Sequence, residues 1–187
     1  MCAVTLTLLL ALLASLMLPA TCRKTEVGAV MGEVHALKNA VHCYRVEYGS
    51  YPGQAAGTND HIYTGDEYPA LVATLSGSNF LWNGKASNPR GTVFLSFDGH
   101  HVKTQADGRT AHVGEWADAW GNRFEVVADW NGDATIAAPL ADGEGVQDDV
   151  AVWSYGPCAK PVANRKDSTH IRSWRELGFR LRCGEAL

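Results

Sequence analysis

The sequence predicts an α+β fold in which a long N-terminal helix, apolar in its first half and amphipathic in its second, packs on a small antiparallel β-sheet. Helical periodicity extends from the apolar N-terminus to about Tyr48, and short β-branched and aromatic segments between glycine turns fill the C-terminal half. The content of 46% apolar and 19% charged residues is that of a globular chain. The formal charge of −4 argues against a nucleic-acid partner.

Residues 1–22 form an apolar segment without a charged side chain. As a helix this segment is about 33 Å long, enough to cross the hydrocarbon core of a membrane, and we favour a retained membrane helix. A cleaved secretory signal is one alternative, although it lacks the basic n-region. A lipoprotein signal ending at Cys22 is another, although Pro19-Ala20-Thr21 is a poor sequence before a modified cysteine.

The cysteines and the first basic residues indicate in which cellular compartment the part of the chain after the apolar segment lies. Cys158 and Cys183 both lie in the C-terminal part and are the best-placed pair for a disulfide, which indicates an oxidising compartment; two free thiols are the alternative. Arg23 and Lys24 follow the apolar run, so the positive-inside rule alone places the rest of the chain in the cytoplasm. The cysteines and the basic residues thus indicate different compartments. A translation start upstream of Met1 that encodes a short basic leader would reconcile the two indications.

Residues 23–52 continue the helix and then end it. Apolar side chains recur every three or four positions from Val27 to Tyr48, so they form one stripe that needs a globular domain to lie on. Gly49 supplies a C-cap, and Tyr51-Pro52 sets an extended exit from the helix.

Residues 53–187 are expected to form the globular domain. Trp120-Gly121-Asn122 and Asn131-Gly132-Asp133 are turn signals, and the chain after the second turn is expected to pair back as a hairpin over Asp133–Ala138. The predicted elements are the helix Tyr68–Leu75, the strands Thr92–Phe97, Arg123–Ala128 and Val150–Tyr155, and a closing segment His170–Trp174.

We assign structural roles, rather than metal-binding or catalytic roles, to the polar groups in the sequence. The stretch Asp129–Asp133 begins like a calcium loop, but Ala134 replaces the required glycine and Leu140 the bidentate glutamate, so a hairpin turn is favoured. We interpret His35 and His42 as helix-surface residues, the histidines at 100, 101 and 112 as solvated, and the acidic stretch 142–149 as a solvated connection. No nucleophile–base or phosphate-loop arrangement stands out, so we do not expect an enzyme.

Several pieces of the sequence carry a family resemblance when they are taken in order. They are the apolar start Val4-Thr5-Leu6 with Pro19 later in it, the stretch Ala36-Leu37-Lys38-Asn39-Ala40 that leads to Tyr44 and to the helix end Tyr48-Gly49-Ser50-Tyr51-Pro52, the stretch Asp118-Ala119-Trp120-Gly121-Asn122, the stretch Val152-Trp153-Ser154-Tyr155-Gly156, and Ile171-Arg172-Ser173-Trp174. In this order they resemble the major pseudopilins of type II secretion systems and the divergent prepilin-like proteins of that group. The resemblance extends along almost the whole chain.

The resemblance implies a pilin-like architecture in which certain residues are structural and others drive assembly. The structural residues are Gly49, Tyr51, Pro52, Trp120, Gly121, Ser154, Gly156 and Trp174, and the assembly residues of the apolar helix are Leu6, Leu9, Leu12, Leu13 and Leu16. Cys158 and His170 stand where the family has calcium-binding aspartates, and neither suits a hard cation. We therefore expect no calcium or other cofactor, and a Cys158–Cys183 disulfide that holds this loop instead.

By this resemblance we expect a non-enzymatic pseudopilin-like subunit of a type II secretion or type IV pilus-like envelope assembly. Its helix would anchor it in the inner membrane with the globular domain in the periplasm. Its partners would be copies of itself, other pseudopilins and components of the secretion machinery. The alternative is a secreted or lipid-anchored periplasmic binding module on a pilin-like fold that no longer polymerises. That alternative is favoured by Leu8, which stands where the family has a glutamate.

Overall fold

The computed structural model describes residues 2–55, 59–96, 102–103, 115–137, 145–156 and 171–173, with side chains from Thr25 onward except at 102–103 and 115. The elements are α1 (Cys2–Tyr48), β1 (His61–Ile62), α2 (Glu67–Leu75), β2 (Leu81–Trp82), β3 (Lys85–Ala86), β4 (Val102–Lys103), β5 (Glu115–Trp116), β6 (Glu125–Ala128), β7 (Val150–Ser154) and β8 (Ile171–Arg172). The predicted combination of helix and antiparallel sheet is confirmed.

The main sheet has the strand order β1-β6-β7-β8, and every neighbouring pair is antiparallel. Two further antiparallel pairs, β2–β3 and β4–β5, form separate two-stranded sheets. The predicted strands near 123–128 and 150–155 correspond to β6 and β7, and the predicted helix at 68–75 corresponds to α2. The closing segment contributes β8.

Helix α1 packs against one side of the sheet through the predicted apolar stripe. Val30, Val34, Leu37 and Val41 have no exposed surface and belong to the same core as alternate residues of β6 and β7. The other alternate residues lie on the opposite side of the sheet, in a second cluster: Val127, Ala151 and Trp153, together with Ile136 and Val146. Because both sides of β7 are covered, all five of its residues are buried.

Helix α1 is continuous over 47 residues and ends where the sequence predicts. Gly49 has a φ of +69°, the left-handed conformation that glycine adopts at little cost, and its amide donates to the carbonyl of Arg45 at 2.8 Å. Among the described residues, no helix is both long and apolar enough to cross a membrane.

The predicted strand Thr92–Phe97 is wrong for the residues that are described, 92–96, which form no strand. The amides of Phe94 and Leu95 both donate to the carbonyl of Leu75, at 2.8 and 3.0 Å. This carbonyl lies at the C-terminus of α2, where helical carbonyls lack an intrahelical partner. The segment therefore caps α2 instead of joining the sheet, and the Phe94 ring packs on Tyr44.

The prediction that Asp133–Ala138 pairs back on the preceding strand is also wrong for the described residues. Ile136 instead exchanges two backbone hydrogen bonds of 2.8 Å with Val146. The reason is that β6 already has a neighbour on each side, β1 and β7. The chain therefore turns away from the sheet after Asp129 and pairs outside it.

Candidate functional site

The carboxylate of Asp118 is the centre of a buried network that joins two distant turns. Asp118 is 3% exposed and its carboxylate accepts from the amides of Trp120 at 3.0 Å and Asn122 at 2.7 Å. It also accepts from the side-chain amide of Asn122 at 3.2 Å and from the hydroxyl of Ser154 at 2.5 Å. Four donors compensate the loss of hydration that burial costs the carboxylate.

A second set of bonds extends this network, which we call the Asp118 network, to the end of β7. The side-chain amide of Asn122 donates to the carbonyl of Gly156 at 2.8 Å, and the amide of Gly156 donates to the Ser154 hydroxyl at 2.9 Å. Gly121 adopts a φ of +83° in the turn, and the half-buried Trp120 packs against the main core. The two sequence stretches 118–122 and 154–156 thus form one structural unit.

The exit from α1 is fixed by buried phenols. The hydroxyl of Tyr51 donates to the carbonyl of Asp149 at 3.0 Å, and that of Tyr63 donates to the carbonyl of Pro52 at 2.9 Å. Burial raises the pKa of both phenols, and for Tyr51 the Arg45 charge opposes that rise. Both phenols therefore stay protonated donors at neutral pH. Tyr51 and Pro52 accordingly hold the chain against the core directly after the helix.

Asn88 is a buried residue that joins both helices and that the sequence did not point to. Its side-chain amide donates to the carbonyls of Thr74 in α2 and of Thr92, each at 2.8 Å. Its side-chain oxygen accepts from the Tyr48 hydroxyl of α1 at 2.6 Å and from the Thr92 amide at 3.1 Å. Nearby, the Tyr44 hydroxyl donates to the carbonyl of Ser87, and burial raises the pKa of Tyr44 to about 12.

A cluster of opposite charges links α1 to residues 145–149, the segment before β7. We call this cluster the helix clasp; it consists of Lys38, His42 and Arg45 from α1 with Asp148 and Asp149 from the segment. Lys38 pairs with Asp148. Nδ1 of His42 lies 2.8 Å and a guanidinium nitrogen of Arg45 lies 3.1 Å from the same Oδ2 of Asp149.

The clasp lowers the pKa of the Asp149 carboxyl. Burial raises this pKa, but the hydrogen bond and charge of His42, a hydrogen bond with Asp148 and the charge of Arg45 together bring it below its usual range. Asp149 is therefore ionised at neutral pH. The interpretation of the acidic stretch as a solvated connection is incomplete, since Asp148 and Asp149 are half-buried and paired. Residues 142 and 144 lie outside the described residues.

A second acidic group forms at the turn after β6. One carboxylate oxygen each of Asp60, Asp129 and Asp133 lies within 4.8 Å of the other two. The Asp129 carboxylate accepts the amides of Gly132, Asp133 and Ala134 at 2.7 to 3.2 Å. The amide of Thr135 donates to Asp133 at 2.8 Å, and that of Ala137 donates to Asp60 at 3.0 Å. These carboxylates hold a turn, as the sequence predicted at 131–133.

The predicted site residues fall into three groups. Gly49, Tyr51 and Pro52 lie at the end of α1, and Trp120, Gly121, Ser154 and Gly156 belong to the Asp118 network or its turn. The assembly leucines at 6, 9, 12, 13 and 16 lie in α1, but their side chains are not described. Trp174, Cys158, Cys183 and His170 lie outside the described residues, as do the histidines at 100, 101 and 112.

Sequence reasoning missed three features of the site. The helix clasp is partly indicated by the sequence, because Lys38, His42 and Arg45 lie on one face of a helix at spacings of four and three. The β2–β3 hairpin is clearly indicated by the dipeptide Asn83-Gly84, which forms the turn of the hairpin and has a positive φ at both residues. Asn88 carries no local signal, since its partners are up to 40 residues away in the chain.

Compared with known proteins, the chain matches no family model, no curated protein and no solved structure.

Proposed function

We propose that the chain is a non-enzymatic, pseudopilin-like subunit of a type II secretion or type IV pilus-like envelope assembly. The observation that carries the proposal is the contact between stretches 118–122 and 154–156. These two pieces, separated in sequence, are among those that resemble the pseudopilins, and here they share the buried carboxylate of Asp118. A joint structural role explains why both pieces would occur together in one chain.

The architecture of α1 supports the same proposal. Among the described side chains of α1, contacts with the core begin at Val27, and the helix itself begins 25 residues earlier, at Cys2, a length of about 37 Å. Residues 1–22 carry no charge and contain Leu6, Leu9, Leu12, Leu13 and Leu16. In the proposed subunit this half of α1 anchors the chain in the inner membrane and packs against other subunits, while the domain lies in the periplasm.

Leu12→Arg tests the anchor and the assembly together. A charge in the middle of an apolar segment is costly in lipid and between packed helices, so the variant should leave the membrane fraction and fail to assemble. Leu81→Arg is the control, because Leu81 is 78% exposed in the β2–β3 hairpin and tolerates the same charge. The measurements are membrane fractionation and crosslinking of the full chain in the cell envelope. Wild-type behaviour of Leu12→Arg would overturn the proposal.

The second candidate function is a secreted or lipid-anchored binding module on a pilin-like fold. Leu8, in place of the family's glutamate, favours it. The intact mass of the mature protein separates the two candidates. A retained apolar run supports the assembly subunit, whereas a lipidated Cys22 or an N-terminus near Arg23 supports the binding module.

A further inference from the structure

Two asparagines of the chain, Asn83 and Asn131, are followed by glycine, and both are exposed. An asparagine before glycine is chemically labile, because glycine has no Cβ to hinder the attack of its amide nitrogen on the asparagine side chain. The attack forms a cyclic imide and expels ammonia. The dipeptide is the same at both sites, so a difference in their reactivity must come from the fold.

We propose that Asn83 is the site at which the folded chain deamidates spontaneously, and that the fold protects Asn131. Asn83 and Gly84 form the exposed turn of the β2–β3 hairpin. Among the described residues, none accepts a hydrogen bond from the Gly84 amide, which is the nucleophile of the reaction. The Asn83 side chain is held by a hydrogen bond from its amide to the carbonyl of Gly53 at 2.8 Å. Water and base can therefore reach both reacting groups.

The same dipeptide at Asn131 is held at each of its reacting groups. The amide of Gly132 donates to a carboxylate oxygen of Asp129 at 2.7 Å. The side chain of Asn131 donates to the Asp133 carboxylate at 3.0 Å and accepts the Asp133 amide at 3.0 Å. Before the Gly132 nitrogen can attack, its hydrogen bond to the carboxylate must break, and hydrogen bonds to charged acceptors are the stronger ones.

The charges around the two turns add to this difference. The attacking nitrogen must lose its proton, so nearby negative charge opposes the reaction and nearby positive charge favours it. The carboxylate that accepts the Gly132 amide lies within 4.8 Å of two further carboxylates, measured between one oxygen of each. Gly84 instead precedes the exposed Lys85. The electrostatic environment therefore also favours reaction at Asn83.

The reaction at Asn83 needs only water as a co-reactant. The deprotonated nitrogen of Gly84 bonds to Cγ of Asn83, and the side-chain amide group takes a proton from solvent and leaves as ammonia. Water then adds to one of the two imide carbonyls and opens the ring to an aspartate or an isoaspartate. The net change is a carboxylate in place of the side-chain amide.

Deamidation would remove one of the contacts that hold the hairpin to the segment after α1. The Asn83 amide bonds to the carbonyl of Gly53, and the Trp82 ring lies so close to the same glycine that a Cβ there would collide with it. A carboxylate at position 83 cannot donate to the carbonyl and is repelled by it. The product therefore holds the hairpin less tightly. This inference is independent of the proposed function.

Peptide mapping of the full chain, incubated in mildly alkaline buffer, tests the assignment. In the folded chain Asn83 should deamidate about ten-fold or more faster than Asn131, the effect of breaking a hydrogen bond to a carboxylate. In denaturant the two sites should react at similar rates, because neither then has tertiary contacts. Equal rates in the folded chain, faster reaction at Asn131, or the same preference for Asn83 in denaturant would overturn the inference. So would a folded chain in which Asn83 stays intact while the denatured chain reacts.

Asn83→Asp tests the consequence for the hairpin. This variant carries one product of the reaction from the start, and its melting temperature should lie about 2–4 °C below that of the wild type, the effect of one lost hydrogen bond in a chain of this size. Asn39→Asp is the matched control, because Asn39 is exposed on α1 and its variant should melt like the wild type. Equal melting temperatures of Asn83→Asp and Asn39→Asp would overturn the loosening of the hairpin.

Discussion

The hydroxyl of Ser154 donates a hydrogen bond of 2.5 Å to the buried carboxylate of Asp118, 36 residues earlier in the chain. The same hydroxyl accepts the amide of Gly156 at 2.9 Å. Ser154 therefore connects the turn before β6 to the end of β7 through a single oxygen. The start of β6 and the end of β7, which lie at the same end of this antiparallel pair, are thus joined by side chains as well as by the backbone.

Removing the Asp118 carboxylate should be strongly destabilising. Asp118→Ala removes the acceptor of four hydrogen bonds whose donors are buried or partly buried, so we expect the free energy of unfolding to fall by about 2–4 kcal/mol. Asp66→Ala is the control, because Asp66 is exposed and makes no side-chain bond to the N-terminus of α2. Chemical denaturation measures both variants, and equal stability of the two would contradict the structural role of the network.

Two glycines with nearly the same backbone conformation should differ in their tolerance of alanine. Gly49 and Gly53 have φ angles of +69° and +66°, but a Cβ at Gly49 meets open space whereas one at Gly53 would lie 2.4 Å from the Trp82 ring. Gly49→Ala should cost about 1 kcal/mol for the left-handed backbone. Gly53→Ala should cost about 1–3 kcal/mol more, because the ring must move. Thermal unfolding of both variants measures this difference, and similar losses of stability in the two variants would refute the close contact.

Asn88 should be more important to stability than any local feature of its sequence suggests. Asn88→Ala removes two donated and two accepted hydrogen bonds of a fully buried side chain and should lower the free energy of unfolding by about 2–4 kcal/mol. Asn39→Ala, at an exposed position of α1, should stay within about 0.5 kcal/mol of wild type. Denaturant titration of the pair is the measurement, and a small effect of Asn88→Ala would disprove the role.

Asp149 should contribute to acid denaturation. Its pKa in the folded chain lies below its usual range, so the unfolded state binds more protons in acid. Its contribution to stability is complete above the unfolded pKa of about 4 and is lost as the pH falls through the folded value. Asp149→Asn should therefore reduce the acid-induced drop in melting temperature, whereas Asp66→Asn should leave it unchanged. An unaltered acid profile for Asp149→Asn would exclude this linkage.

The cysteine pairing can be tested by alkylation and peptide mapping of the full chain without reductant. We expect Cys43, which is free and exposed, to be labelled while Cys158 and Cys183 stay protected until a reductant is added. Cys43 thus serves as the internal control for reagent access. Labelling of both C-terminal cysteines before reduction would remove the proposed disulfide.

The parts of the fold that the sequence predicts well are those set by local pattern. The stripe of α1, its end at Gly49 and the strands β6 and β7 follow from periodicity and from glycine chemistry. The error at 92–97 has a clear cause. β-branched and aromatic residues indicate an extended segment with buried side chains. Whether such a segment joins a sheet depends on whether a strand with unpaired backbone groups lies next to it. Here the amides of Phe94 and Leu95 bond to the carbonyl of Leu75 instead.

The contacts of the candidate site depend on partners that are distant in sequence, which limits prediction. Lys38 and Asp148 are separated by 110 residues, and His42 and Asp149 by 107. When only its neighbours in the sequence are considered, each of these residues is predicted to lie on a solvated surface. Only the position of α1 against β7 brings the two sets of charges together.

The border strands of the main sheet are short. Among the described residues, the outermost strands β1 and β8 are each two residues long, whereas the central strands have four and five. Such short border strands offer few unpaired backbone groups as a template for another chain. Over the described residues, the main sheet therefore offers little edge on which a strand of a second copy could pair.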